Sequence, residues 1–181
     1  MIAAMSSFMD RIRPSDRIIR WLLRMLYAMG VVALAVALCR PFFTIGINLD
    51  HSLPGHVFLI HKREMPERGQ LVAFRFQGFP PYFPAGATFV KILAGMPGDE
   101  VRAEDAGCIE YRAHTRTFVM VIGCAKAKTR DGHPLNLGPV GEIPQGRYAV
   151  AGTHPDSLDS RYAAVGWIRR NQIIGRAYRI F

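Results

Sequence analysis

Two residues in this chain have the type and the setting for covalent chemistry without a cofactor. Ser52 stands in INLDHSLPGHVFLI, between an apolar run and the Pro54-Gly55 pair. Lys91 stands in ATFVKILAGMPGDEV, with Phe89 and Val90 before it and Ile92 and Leu93 after it. A lysine carried into an apolar setting loses hydration, which disfavours its ammonium form, so the neutral amine can accept a proton near neutral pH. A serine hydroxyl beside such a base becomes a nucleophile, and the pair needs neither metal nor histidine. Each residue also has a plainer reading. Serine is a common turn residue, and a strand lysine can simply point to solvent.

The histidines offer a rival arrangement. His154 lies near Asp156 and Asp159, so Ser52, His154 and an aspartate could form a triad, although no G-x-S-x-G elbow surrounds Ser52. His51 adjoins Ser52 but would point to the opposite side of an extended backbone. No CxxC or His-Cys cluster suggests a metal, and no cofactor is expected. Cys108 and Cys124 flank a stretch that reads as a hairpin and could pair in an oxidising compartment, geometry permitting.

Short β-like runs, punctuated by Gly and Pro, must hold these residues. Strands are expected over 42–48, 56–62, 70–76, 88–95, 108–112, 117–123, 147–152 and 173–181, separated by turn signals such as GMPGDE, DGHPLNLG and GPVGEIPQG. This is a mainly β domain covering residues 40–181. Its oddest loop, FQGFPPYFPAG at 76–86, holds aromatics and prolines but no charge. It is either a Pro-rich loop packed on the domain or an apolar surface resting on a bilayer.

Before that domain the pattern differs. The first 24 residues carry Arg11, Arg13, Arg17, Arg20 and Arg24 against Asp10 and Asp16, and residues 25–39 carry no charge. The apolar run 21–39 approaches the roughly 20 residues that cross a bilayer, with Arg24 able to snorkel to the headgroups. A buried core helix and a cleaved signal peptide are the competing readings; ALCRPFF offers no clean small-x-small cleavage site, which weakens the second. A basic arm over 1–20, a transmembrane helix over 21–39 and an exported domain over 40–181 follow from the positive-inside rule. The net charge of +9 then suits a membrane-surface protein better than a nucleic-acid binder, since the basic residues are spread and the domain lies outside the cytoplasm.

HSLPGHVFLI, RGQLVAFR, FVKILAGMPGDEV and HPDSLDSRY, in this order after one N-terminal span, resemble the successive boxes of the type I signal peptidase family, most of all its conjugative-transfer, TraF-like branch. The resemblance covers about residues 20–181. It implies a signal-peptidase-like β domain on a single N-terminal transmembrane helix, with Ser52 as nucleophile and Lys91 as general base. It further implies that Ser157 orients the lysine, while Asp159 and Arg161 tie the loop beneath the site. Where the family carries Ser or Thr two places before the nucleophile to bind the oxyanion, this chain has Asp50, and a carboxylate cannot donate unless protonated. The oxyanion would then rest on backbone N–H groups, including that of Ser52. The implied partners are the lipid bilayer and a signal-peptide-bearing preprotein or prepilin, with no nucleic acid; the implied location is the inner membrane, with the N-terminus in the cytoplasm and the catalytic domain periplasmic. A non-catalytic bitopic adaptor of a secretion or conjugation apparatus is the alternative that Asp50 keeps open.

Overall fold

The apolar run folds as one helix, α1, Asp16–Cys39, in a computed structural model that describes residues 16–47 and 52–181. The arginine-rich arm before residue 16, and Asp50 and His51 beside the serine, lie outside the described residues. Ile18–Cys39 is long and apolar enough to cross a membrane, its 22 residues reaching about 33 Å at about 1.5 Å per residue. Leu22, Leu26, Val32 and Leu38 are all exposed, and none of the span is buried, which is contrary to a core helix. The helix starts five residues before the expected position because Ile18 and Ile19 extend its apolar character past Arg20.

Residues 42–181 form a separate unit. Its strands in chain order are β1 (Phe43–Ile47), β2 (Val57–Lys62), β3 (Leu71–Arg75), β4 (Thr88–Gly95), β5 (Glu100–Asp105), β6 (Ile109–His114), β7 (Val119–Ala125), β8 (Gly141–Glu142), β9 (Arg147–Ala151), β10 (Ile168–Arg169) and β11 (Ile173–Arg179). Seven make one sheet in the order β1-β2-β11-β3-β4-β9-β10, and four make another in the order β7-β6-β5-β8. The domain is mainly β, as expected, and the foreseen strands keep their places with ends moved by one or two residues. β5, β8 and β10 were not foreseen. β5 shows only Val101 and Ala103 among charged neighbours, and the other two are two residues long.

Alternation along β3 and β4 sorts side chains to two faces. Their antiparallel register pairs Phe74 with Phe89 and Val72 with Lys91. Val72, Phe74, Phe89 and Leu93 join Phe76, Tyr148, Val150 and Ile168 in one buried cluster. Ala73 and Val90 face the other way, with Phe58 and Ile60 of β2. A third cluster, including Val101, Tyr111, Ile122 and Ile143, joins the four-stranded sheet to Ala94 and Ala149 of the larger one. By this parity Lys91 sits on the same face as Phe89 and Leu93, inside an apolar layer. The 76–86 loop packs on that layer too, with Phe76 stacked on Phe89 and Phe83 edge-on to both rings. The packed reading of this loop therefore holds.

Cys108 and Cys124 form a disulfide across the β6-β7 hairpin, while Cys39 is a free, exposed thiol. Closing a loop of this length restricts the unfolded chain by about 3 kcal/mol in the chain-entropy model. Reduction should lower the unfolding free energy of the solubilised protein by about that amount. Thiol labelling of denatured, non-reduced chain should find Cys39 alone.

Candidate active site

Lys91 is 1% exposed. Its side-chain nitrogen, Nζ, is 5.5 Å from the centre of the Phe89 ring and donates to Ser157 Oγ at 2.9 Å. The outward-pointing reading of this lysine is thereby overturned. Strand period and register give the reason, since position 91 shares a face with four apolar core residues.

Ser52 is 4% exposed and lies on the connection between β1 and β2. Its carbonyl accepts from the backbone N–H of Thr153 at 2.9 Å and from the Thr153 hydroxyl at 3.3 Å. The segment 152–161 thus holds both candidates, Ser52 through backbone and Lys91 through Ser157. Gly152 makes this possible. Any Cβ there would lie 1.9 Å from Ser157 Oγ and 3.0 Å from the Ser52 carbonyl oxygen, so the absent side chain is the space through which Ser157 reaches the lysine.

Under this segment lies a buried ion pair. Asp159 is wholly buried and Arg161 is 2% exposed. The guanidinium meets both carboxylate oxygens, Nε to Oδ1 at 2.8 Å and Nη2 to Oδ2 at 2.9 Å. Two more of its donors reach the carbonyls of Ser157 at 2.9 Å and Cys124 at 2.7 Å. Asp159 in turn accepts from the Gly152 N–H at 3.0 Å. Charge and fork geometry are matched and four of the five guanidinium N–H donors are bonded, which favours tolerance of such a buried pair. Gly123, at a positive φ where β7 bulges, leaves room for the guanidinium: a Cβ there would meet Nη1 at 2.7 Å.

Ser52 and Lys91 line one cavity of about 440 Å³, together with Ile47, Tyr82, Phe83 and Val90. It is an apolar slot with a hydroxyl and an amine at its wall. Sequence reasoning missed Tyr82 and Phe83 as lining residues, although the charge-free aromatic loop was the signal. It also missed Gly152 and Gly123, whose roles exist only because the fold brings Ser157 and Arg161 against them.

His154 meets Ser52 through its backbone N–H, which donates to the Ser52 carbonyl at 3.4 Å, and is not among the residues lining the Ser52–Lys91 cavity. It borders a different depression with Leu53, Pro54 and His56, and its Nδ1 accepts from the Asp156 N–H at 3.1 Å. The carboxylates that a triad would need are already engaged, Asp159 by Arg161 and Asp156 by Lys126 and Arg130. Lys126 first, then Arg130, hold the Asp156 carboxyl down to about 2. Because its pKa is depressed, this contact persists above the ordinary carboxylate range and is lost only as the pH falls towards that value. Among the described residues no group of His, Cys, Asp and Glu could hold a metal ion.

A family model described as "Signal peptidase, peptidase S26" matches residues 18–181. No curated protein matches the chain.

Two substitutions test the scaffold. Asp159→Ala leaves a guanidinium buried without its counter-charge and should cost about 3–5 kcal/mol, read as a lower urea midpoint. Gly152→Ala should leave the strands folded, by circular dichroism, but displace Ser157 from Lys91.

Proposed function

The chain belongs to the signal peptidase family, peptidase S26, and from that premise we propose that it cuts signal peptides with a Ser52-Lys91 dyad. The observation that carries this reading is a lysine buried on an apolar face, bonded to Ser157, sharing a cavity with a buried serine. Ser52 Oγ attacks the scissile carbonyl while the neutral Lys91 amine takes the hydroxyl proton. The ammonium then returns that proton to the leaving amine as the carbon–nitrogen bond breaks, and water hydrolyses the acyl-enzyme. Ser157 positions Lys91, and Asp159 with Arg161 positions Ser157. Backbone N–H groups, including that of Ser52, serve the oxyanion, with Asp50 in the same region.

The apolar slot suits small or aliphatic residues ahead of the cut. The proposed substrates are signal-peptide-bearing preproteins, with a conjugative pilin or transfer protein favoured by the TraF-like boxes. Residues 1–20 remain in the cytoplasm, 21–39 span the inner membrane and 40–181 work in the periplasm, because the arginines precede the span. Signal peptides lie in the same bilayer, so the search for substrate is two-dimensional.

In detergent, with a signal-peptide substrate, Ser52→Ala and Lys91→Ala should each lower kcat by on the order of 10⁴-fold or more. Lys91→Arg should be as inactive, since a guanidinium does not give up its proton. Wild-type activity should fall on the acid side as Lys91 becomes protonated. His154→Ala should keep most of the activity. An inactive His154→Ala together with an active Lys91→Arg would replace the dyad by the triad, and full function of Ser52→Ala in cells would return the adaptor reading. A C-terminal alkaline phosphatase fusion should be active; an inactive one reverses the orientation.

A further inference from the structure

A second cavity, of about 460 Å³, shares Tyr82 and Phe83 of the aromatic loop with the Ser52 slot as a common wall. Its interior is apolar, with Phe79, Leu135, Leu158 and Tyr162, and its rim is cationic, with Lys126, Lys128 and Arg130. The turn that bears these cations is fixed in place. Thr129 N–H donates to the His133 carbonyl at 2.8 Å, and the Tyr82 hydroxyl meets His133 Nδ1 at 2.7 Å and Thr129 Oγ1 at 3.3 Å. The hydroxyl of the shared wall therefore joins the rim to the aromatic loop.

The rim carries a surplus of positive charge. Asp156 faces two cations at once, since Lys126 pairs with one carboxylate oxygen and Arg130 Nη2 with the other at 2.6 Å. Lys128 adds a third cation, against which the lining offers only Asp131. An apolar interior under a rim with more cations than anions suits an aromatic or aliphatic side chain next to a carboxylate.

We propose that this cavity is a substrate subsite that takes an apolar residue adjoining an Asp or Glu in the polypeptide being cut. The proposal rests on the signal peptidase reading, because its continuity with the Ser52 slot through Tyr82 and Phe83 is what places the same chain in both. Cavities that share lining residues adjoin, so one extended substrate, advancing about 3.3 Å per residue, can enter both. This apolar residue and its acidic neighbour then set the specificity of the site at a distance from the scissile bond.

The test uses full-length Ser52→Ala protein in detergent, so that binding is read without turnover. Fluorescein-labelled signal-peptide substrates carry one Phe-Glu or one Phe-Lys pair, moved stepwise along the residues on either side of the cleavage point. At one position Phe-Glu should bind about fivefold more tightly than Phe-Lys, the upper range for one exposed charge pair, and the preference should shrink at high salt. Adding Lys128→Glu should remove or invert the preference, and Lys128→Arg should keep it. Equal affinities at every position, or a preference untouched by Lys128→Glu, overturn the subsite. So does a Lys128→Glu effect seen only on binding to anionic phosphatidylglycerol vesicles, which would make the rim a headgroup contact. The dyad is judged separately, by whether the enzyme with Ser52 intact cuts any of these peptides.

Discussion

The architecture around the site depends on one buried ion pair. Taking an aspartate and an arginine out of water costs several kcal/mol for each ion unless every donor and lone pair is matched. Here the guanidinium spends its donors on Asp159 and on the carbonyls of Ser157 and Cys124. The pair thereby fixes the segment 152–161 against the β6-β7 hairpin. Everything above it inherits that placement. The Ser157 hydroxyl, the Lys91 amine it receives from and the Ser52 carbonyl bound by Thr153 are all referred to this one point.

The same interaction explains why the two sheets meet where they do. Arg161 reaches Cys124 in the smaller sheet, and Asp159 receives Gly152 at the end of a strand of the larger one. The apolar cluster between the sheets supplies non-directional burial. Directional bonds of the ion pair select one alignment among the many that burial alone would accept. The disulfide closes the hairpin that presents the Cys124 carbonyl, so a covalent constraint stands behind a hydrogen bond of the site.

Much of this was legible along the chain. Lys91 stood out because a charged residue interrupts a strongly apolar run, and Ser52 because a Pro-Gly turn follows it at once. The ordered boxes pointed to Ser157, Asp159 and Arg161. What stayed hidden depends on register and on long-range approach. Lys91 faces inward only because β3 pairs with β4 as it does, and Gly152 matters only because Ser157 folds back on it. β5 escaped notice because its charged residues obscure the alternation, and the aromatic loop betrayed its apolarity but not the wall it builds between two cavities. Asp50 stays a sequence-level departure, since it lies outside the described residues.

The position of β11 bears on how the larger sheet comes apart. The last strand of the chain is not at an edge; it lies between β2 and β3 and pairs with both. Within the sheet it is the hydrogen-bonded join between the β1-β2 hairpin, whose connection carries Ser52, and the β3-β4 pair that carries Lys91. Melting of β11 therefore parts the sheet beside the Ser52 slot, and leaves the Thr153–Ser52 backbone bond and the apolar contacts of Leu53 with Val90 and Ala73 to hold the two halves together.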